Sequence, residues 1–289
     1  MLEGVNKMNL DFLALSKALP ELHALLFRGS ETYSLIENIS QDLADRIFGP
    51  HGEQSCELLP AVKIQLPYHQ MGAINSTHLL GLDELILFAF YSKQLGRLEK
   101  VADVGANIGL HSIVLSKLGF EVRAFEPDPS HVEILRANLE INGVSSVEVN
   151  EKAVSRNKGT VEFVRVLGNT TGSHIAGAKD SYGEKEAFRV ETESFGDLMN
   201  WAELIKLDVE GHEAEILSNT LASDWESVDA LVEVGSIQNA EVIFNHFKNL
   251  GIKLFGQKVG WKEIRTVEEM PKSHREGSVF ISKKDYMPW

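Results

Sequence analysis

Residues 101–112 read VADVGANIGLHS, a short apolar strand that turns through two glycines into a helix. Gly105 permits a sharp turn and lets a ligand approach the backbone where a side chain would clash. Gly109 permits close packing between the helix and the strand. The spacing D-x-G-x-x-x-G differs from the G-x-G-x-x-G of a pyrophosphate site, and Asp103 would repel a pyrophosphate and favour a cationic ligand. A plain strand-to-helix turn, in which glycines are common, is the alternative.

On the C-terminal side of this segment, strands and helices alternate. The predicted strands cover residues 101–104, 121–125, 147–149, 160–166, 205–209, 230–234, 252–255 and 278–282. The predicted helices cover 109–118, 129–142 and 239–249, with another after residue 209 that carries Ala214, Leu217 and Leu221. This alternation predicts an α/β fold, a parallel sheet with helices on both faces, whose ligands bind beyond the carboxyl ends of the strands. Four residues fall there: Gly105, Glu126, Asp208 and Glu233.

The chain before this region has a different pattern, and we predict a mainly helical extension, which would form a cap, over residues 1–80. Apolar and polar residues alternate at helical spacing over 9–27 and 33–48, and Pro20 breaks the first stretch. The apolar side of the first stretch is formed by Leu10, Leu13, Leu15, Leu19, Leu22, Leu25 and Leu26. Residues 81–289, which begin with a helix predicted to end near residue 95, then form the second domain.

Composition limits the class of protein. The 289 residues are 43% hydrophobic and 24% charged, which is typical of a globular chain. The longest apolar run, residues 85–91, is much shorter than the roughly twenty residues of a membrane-spanning helix, and the N-terminus lacks the pattern of a secretory signal. We therefore expect a cytoplasmic protein without a membrane span. The single cysteine, Cys56, excludes an internal disulfide and a multi-cysteine metal site.

The net charge of −14 argues against general binding to a nucleic-acid backbone. We therefore expect no nucleic-acid partner. Residues 253–284 nevertheless hold eight Lys and Arg against four acids, so a local basic patch keeps nucleic-acid methylation open as an alternative.

Glu126 stands at the end of the second predicted strand, directly after Phe125 and 23 positions after Asp103. An acid about twenty residues beyond a glycine turn can bind both ribose hydroxyls of a nucleoside. An exposed carboxylate at the end of a strand is the alternative. Asp128 is interpreted as the N-cap of the next helix, with Pro129 in its first turn.

A third group of polar residues follows the strand at 205–209. Asp208, Glu210 and His212 lie at the open end of the predicted sheet, where they could serve a cationic cofactor, a general base or a hard metal. A solvated first helical turn is the alternative, because the helix dipole favours acids there. That alternative suits Glu213 better than it suits Asp208 and Glu210, which precede the helix.

These residues carry a family resemblance. Residues 101–142 resemble the nucleoside-binding half of a class I S-adenosylmethionine-dependent methyltransferase, and residues 100–235 are similar to the FkbM methyltransferase family. The matching motifs are DVGANIGLHS (103–112), FEPDP (125–129), NLEING (138–143), AVS (153–155), NTTGS (169–173) and KLDVEGHEAEIL (206–217), and their order and spacing agree together. Residues 192–198 match only in part and are interpreted as scaffold.

The resemblance implies a seven-stranded Rossmann-like sheet whose last strand is antiparallel, formed by the pair 252–255 and 278–282. It also implies S-adenosylmethionine as cofactor and O-methyl transfer to a hydroxyl of a sugar, polysaccharide or secondary metabolite, so that the partner is a small-molecule or glycan acceptor. The implied cofactor-binding residues are Asp103, Gly105, Asn107 and Gly109 around the methionine, Glu126 at the ribose, and Lys152 and Ala153 beside the adenine. Pro127, which follows Glu126, is a further implied cofactor-binding residue.

A base that takes the proton of the acceptor hydroxyl would assist this reaction. Asp208 is the first candidate, as base or as metal ligand, so a divalent metal stays open. Glu210 and His212 are further candidates, with His174 on the polar, Gly-rich segment 167–187. That segment is either a mobile substrate loop or disordered. His69 and His78 belong either to a lid or to a surface loop.

Two other functions stay open. An NAD-dependent oxidoreductase on a similar sheet would explain Glu126, but it would explain neither Asp103 nor the acids at 208–213. A non-catalytic binding protein that retains the fold would bind S-adenosylmethionine without turnover.

Overall fold

The computed structural model describes residues 11–179 and 183–289. Residues 1–10, which include Leu10 and the start of the predicted extension, lie outside these ranges. The α-helices of the described residues are α1 Phe12–Leu22, α2 Glu31–Phe48, α3 Leu82–Lys93, α4 Leu110–Leu118, α5 Pro129–Ile141, α6 Phe195–Trp201, α7 Glu213–Leu217 and α8 Ile237–Leu250. No helix in these ranges is both long and apolar enough to cross a membrane.

Strands lie on both sides of residue 100, and beyond it they are interspersed with helices α4 to α8. In the described residues they are β1 Ser55–Leu59, β2 Val62–Gln65, β3 Gln70–Met71, β4 Ile74–Asn75, β5 Lys100–Val104, β6 Glu121–Phe125, β7 Glu148–Asn150, β8 Ala153–Ser155, β9 Gly159–Val166, β10 His174–Ile175, β11 Lys185–Ser194, β12 Leu204–Leu207, β13 Asp229–Glu233, β14 Lys253–Gly256, β15 Lys262–Glu263 and β16 Ser278–Ser282.

The main sheet has the order β7-β6-β5-β12-β13-β16-β14-β15. Strands β5, β6, β7, β12 and β13 pair in parallel, whereas β16 runs antiparallel to both β13 and β14. The predicted α/β sheet of seven strands with an antiparallel last strand is thus confirmed. The two-residue edge strand β15 adds an eighth strand that the sequence did not predict.

The order in which strands are added to the sheet reverses at β5: β6 and β7 lie on one side of it, and β12 and β13 lie on the other. The Cα register pairs Val104 with both Phe125 and Leu207, and it pairs Leu207 with Val232. The residues that follow these four positions therefore lie side by side at one edge of the sheet, where ligands of such folds bind.

The helix after β6 begins as its sequence predicts. The Asp128 carboxylate accepts a hydrogen bond from the Ser130 backbone N–H at 2.9 Å, and Pro129 occupies the first turn. The helix after β5 follows Gly109, whose φ is +90°. A Cβ on Gly109 would lie 2.9 Å from Leu135 Cγ on α5, so this glycine permits two helices to pack, rather than a helix and a strand as predicted.

A second sheet, in the order β10-β9-β11-β8, lies outside the main one. The predicted fourth strand, 160–166, forms β9 and pairs with β11. The prediction that 167–187 has no regular structure was wrong in part, since the described part of that segment holds a 3₁₀ turn, β10 and the start of β11. Arg165 Nε of β9 donates to Asp128 Oδ2 at 2.7 Å and so attaches this sheet to α5.

Two further predictions on helices were wrong. Helix α1 continues through Pro20 to Leu22 and is followed by a 3₁₀ turn, so the break comes two residues after the proline. Pro20 still removes the backbone hydrogen bond to residue 16. Helix α7 ends at Leu217, so Leu221 lies beyond it and is 63% exposed. Leu25, predicted on the apolar side of the first stretch, is likewise 51% exposed.

Candidate active site

Two turns meet closely at the carboxyl edge of the sheet. Gly105, after β5, has a φ of +76°, and a Cβ on it would lie 1.8 Å from the backbone oxygen of Asp208, after β12. The sharp turn predicted for Gly105 is present. Its nearest neighbour is the adjacent turn of the same chain, which a side chain at this position would displace.

A buried lysine joins these two turns. Lys206 Nζ donates to the Gly105 carbonyl oxygen at 3.1 Å and to Asp208 Oδ2 at 3.3 Å, and it lies 3.8 Å from Asp103 Oδ1. Burial lowers the pKa of Lys206, but the nearby carboxylates outweigh burial and raise that pKa above its ordinary value. Lys206 is therefore a fixed positive charge beneath the site. Sequence reasoning missed it, although a lysine in the buried strand sequence LIKL is a usable signal.

Asp103 lies under the site and has no surface exposure. Its Oδ2 accepts a hydrogen bond from Ser112 Oγ at 2.6 Å, and its Oδ1 has no hydrogen-bond partner among the described residues. Asp103 thus faces Lys206 and α4 rather than the cavity.

Glu126 is held at the end of β6 by backbone groups on both sides. Its Oε2 accepts from the Asn107 N–H at 2.8 Å, and its Oε1 accepts from the Asp128 N–H at 2.9 Å. The residue is 5% exposed, and burial raises its pKa to about 7 although the two backbone hydrogen bonds oppose that shift. Asn107 adopts a φ of +51°, and its Oδ1 is buried without a partner among the described residues.

A cavity of about 370 Å³ opens over these turns. Eight of the eleven residues predicted for the site line it: Gly105, Asn107, Glu126, Pro127, Lys152, Ala153, Asp208 and Glu210. Asp103 and Gly109 lie beneath it. His212 does not reach it, because its Nε2 lies 3.1 Å from Ser155 Oγ on the side of β8.

The other three candidate histidines differ in whether they reach the cavity. His78 lines the cavity, whereas His69 and His174 do not. His174 Nδ1 lies 3.0 Å from the backbone oxygen of Gly172, so that ring is engaged within its own turn.

The cavity has a second wall that sequence reasoning did not find. It is built from the N-terminal extension, helix α3 and the C-terminal segment, and its polar residues include Arg28, Tyr33, Glu37, Gln41, Asp83, Glu84 and His274. These residues are far from the glycine turn in sequence, so only the folded chain brings them together.

The turn after β12 is held by ionic and hydrogen-bonded contacts. Glu210, at a φ of +54°, forms an ion pair with Lys179. Glu213 was weighed as a solvated residue, but it is buried, with Oε1 accepting from the Gly211 N–H at 2.9 Å and Oε2 accepting from Asn239 Nδ2 at 2.6 Å. Burial raises the pKa of Glu213 to about 7.

Three hydrogen-bonded side chains, Tyr91, His111 and Glu84, lead from the core to the cavity. His111 Nε2 lies 2.7 Å from Glu84 Oε2, and Tyr91 OH lies 3.0 Å from His111 Nδ1. Burial raises the pKa of Glu84, but the His111 ring outweighs burial and lowers it overall, so Glu84 is ionised where it faces the cavity.

No group of three or more His, Cys, Asp or Glu side chains within residues 11–179 and 183–289 has the arrangement of a metal site.

The strand order, the antiparallel β16 and the cavity at the carboxyl edge define a Rossmann-like α/β fold of the class I methyltransferase type. Residues 103–259, more than half of the chain, match the FkbM methyltransferase domain. The chain belongs to the FkbM methyltransferase family.

Two curated proteins that are similar in sequence are also methyltransferases. Methyltransferase sdnD of Sordaria araneosa is 27% identical over 168 residues, which cover 46% of this chain and 64% of that protein. Hexuronic acid methyltransferase AglP of Haloferax volcanii is 30% identical over 115 residues, covering 40% of this chain and 47% of that protein. The match thus spans about half to just under two thirds of each relative.

Solved structures are similar at a lower level. Precorrin-6y C5,15-methyltransferase from Geobacter metallireducens is 13% identical with a TM-score of 0.37, over 68% of this chain and 85% of that one. A ribosomal protein L11 methylase from Lactobacillus delbrueckii is 14% identical with a TM-score of 0.34, over 68% and 75% of the two chains. Scores this low add nothing to the fold described above.

Proposed function

We propose that this protein is an S-adenosylmethionine-dependent O-methyltransferase that acts on a hydroxyl of a sugar-like acceptor. The observation that carries the proposal is Glu126, a buried carboxylate fixed between two backbone N–H groups where β6 enters the cavity. A rigid acceptor at that place suits the two donor hydroxyls of a ribose.

The residues present fit the cofactor. Each Glu126 oxygen accepts one backbone hydrogen bond and keeps a lone pair for a further donor. The buried Asn107 Oδ1 has no partner among the described residues and could accept a hydrogen bond from a ligand. A cavity of about 370 Å³ lies within the range of cofactor sites.

In this proposal each lining residue has a separate role. Glu126 and Pro127 hold the ribose, and Lys152 and Ala153 flank the adenine. Gly105 and Asn107 surround the methionine, while Asp103 and Gly109 support that turn from beneath. When bound, S-adenosylmethionine supplies a methyl group on a cationic sulfur, which the carboxylates around the cavity favour electrostatically.

The second wall is the proposed acceptor site. It offers hydroxyl, amide and charged groups from Tyr33, Gln41 and Arg28, which suit a polyhydroxylated molecule. This wall gives the proposed N-terminal extension, residues 1–80, a part in substrate choice. The relative AglP is a hexuronic acid methyltransferase by name, which supports a sugar acceptor here.

The chain's main task would be alignment. Placing an acceptor oxygen in line with the transferring carbon supplies about 7–11 kcal/mol of barrier reduction when the geometry is held rigidly. The turns at Gly105 and Asp208 would hold the reactants in that geometry, because hydrogen bonds from Lys206 join the two turns.

The test is an incubation with S-adenosylmethionine and the p-nitrophenyl glycosides of glucuronic acid and glucose. We expect release of S-adenosylhomocysteine and a product whose new methyl is a base-stable ether. A base-labile methyl ester would contradict hydroxyl methylation. Turnover of NAD without release of S-adenosylhomocysteine would favour the oxidoreductase alternative.

A further inference from the structure

The carboxylates that line the cavity differ in what holds them. Glu37 contacts Arg28 and Tyr33, and Asp83 contacts Arg28, Tyr33 and Gln257. Glu84 contacts His111, and Glu126 contacts two backbone N–H groups and the ring of His131. Asp208 contacts Lys206, and Glu210 contacts Lys179. Glu233 also lines the cavity. Within residues 11–179 and 183–289, its side chain has no hydrogen-bond or ion-pair partner.

The sheet register places Glu233 beside the reaction site. Val232 pairs with Leu207 in the parallel β12–β13 ladder, so Glu233 lies next to Asp208 at the carboxyl edge. On its other side Glu233 pairs with Ser278 of β16. Glu233 is therefore fixed by the backbone of a central strand, while its carboxylate has no partner among the described residues.

The charges that face Glu233 come from several elements. Asp208 and Glu210 follow β12, Glu84 belongs to α3, Lys206 belongs to β12, and His274 of the C-terminal segment borders the same space. Burial raises the pKa of Glu233 well above its ordinary value, the three carboxylates raise it further, and Lys206 opposes them. A carboxylate in this setting holds a proton more readily than an exposed one.

We propose that Glu233 is a catalytic residue that accepts the proton of the acceptor hydroxyl during methyl transfer. This inference rests on the proposed function. The acceptor oxygen gains the methyl carbon and loses its proton, and the electron pair of the broken carbon–sulfur bond stays on sulfur. The proton passes to a Glu233 oxygen and then to water, which restores the carboxylate.

Asp208 and Glu210, the other candidate bases, are less able to accept a proton because each is held in an ion pair. A proton on Asp208 would break its ion pair with Lys206, and a proton on Glu210 would break its ion pair with Lys179. The structure thus assigns Asp208 to positioning, through Lys206 and the turn at Gly105.

The test compares Glu233→Gln with Glu241→Gln, which removes an exposed glutamate on α8. We expect Glu233→Gln to bind S-adenosylhomocysteine as tightly as the unaltered protein while its turnover on the two glycosides falls roughly 100-fold or more. Glu233→Asp, which keeps a carboxylate, should restore part of the turnover. Glu241→Gln should change neither quantity.

A second readout needs no acceptor. Because a raised pKa in the folded state costs stability as pH rises above the unfolded value, Glu233→Gln should gain stability relative to the unaltered protein as the pH rises above the ordinary pKa of a glutamate. Acid–base titration should also show one group fewer above that pKa than Glu241→Gln. Identical curves for the two variants, or turnover retained in Glu233→Gln, would overturn the assignment.

The outcomes separate the two proposals. Failure of the unaltered protein to bind S-adenosylhomocysteine would remove the proposed function itself. Binding and turnover that survive in Glu233→Gln would remove only the role of Glu233.

Discussion

At the scale of single residues, the site depends on charged groups kept in place by the backbone. Glu126 is buried, yet both of its oxygens accept hydrogen bonds from backbone N–H groups that the chain supplies just after β5 and β6. The carboxylate therefore keeps one orientation without help from a flexible side chain. That orientation is what a nucleoside would encounter.

Replacing Glu126 tests its proposed role. Glu126→Gln keeps the size of the side chain but turns one acceptor oxygen into a donor, so the affinity for S-adenosylhomocysteine should fall roughly 10- to 100-fold, the loss of a hydrogen bond to a charged group. Isothermal titration calorimetry gives the affinity. Glu133→Gln, at an exposed position on α5, is the matched control, and an equal affinity in both variants would reject the ribose role.

The pH dependence of binding follows from the same carboxylate. The pKa of Glu126 is raised to about 7 in the free protein, and a ribose that donates to the ionised form lowers it in the complex. Affinity for S-adenosylhomocysteine should therefore be full above about pH 7 and should fall about tenfold for each pH unit below it. Calorimetry across this range should show that Glu126→Gln loses this component. A profile unchanged by the substitution would contradict the assignment.

At the scale of elements, the site is made where two turns touch. The backbone at Gly105 has a positive φ and also lies against the Asp208 carbonyl, so two separate constraints favour glycine there. Lys206 then joins the same two turns from below.

Two alanine substitutions separate these constraints. Gly96 has a φ of +74° with open space around it, so Gly96→Ala should cost about 1–2 kcal/mol of unfolding free energy from backbone strain alone. Gly105→Ala adds the contact with Asp208 and should cost roughly a further 1–3 kcal/mol, with loss of cofactor binding. Urea unfolding measures both. Equal costs would show that the turns are not in the contact described here.

At the scale of the whole molecule, the N-terminal extension and the methyltransferase sheet share their packing. Phe12, Leu19 and Tyr33 belong to the same hydrophobic cluster as Val101 and Val122 of the main sheet. The described part of the extension is thus built into the core and also lines the cavity, so the same segment serves the packing of the protein and the wall of the site.

A pair of substitutions in the extension tests this sharing. Phe12→Ala, at a fully buried position of α1, should destabilise the whole protein by about 3–5 kcal/mol in a single cooperative transition. Leu35→Ala, at a position of α2 that is 64% exposed, should change stability by less than about 0.5 kcal/mol. Circular dichroism and the fluorescence of the buried Trp225 would follow the transition. An early, separate loss of α1 would contradict the shared core.

The sequence predicted the sheet well where apolar runs end at strong turn residues, as at Gly105 and at Asp128. It missed β11, because Lys185–Ser194 is rich in charge and its partner strands, β9 and β8, lie in an earlier part of the chain. His212 was predicted at the site on its position after β12, but its direction depends on a hydrogen bond to Ser155, which sequence does not reveal. The residues of the second wall were missed because they come from segments far apart along the chain, which only the folded structure brings together.

Whether the cavity binds an adenosyl-sulfur ligand is decided by calorimetric titration of the unaltered protein with S-adenosylhomocysteine and, separately, with NAD. We predict saturable binding of one S-adenosylhomocysteine per chain and no measurable heat with NAD. Binding of NAD alone, or of neither compound, would contradict it.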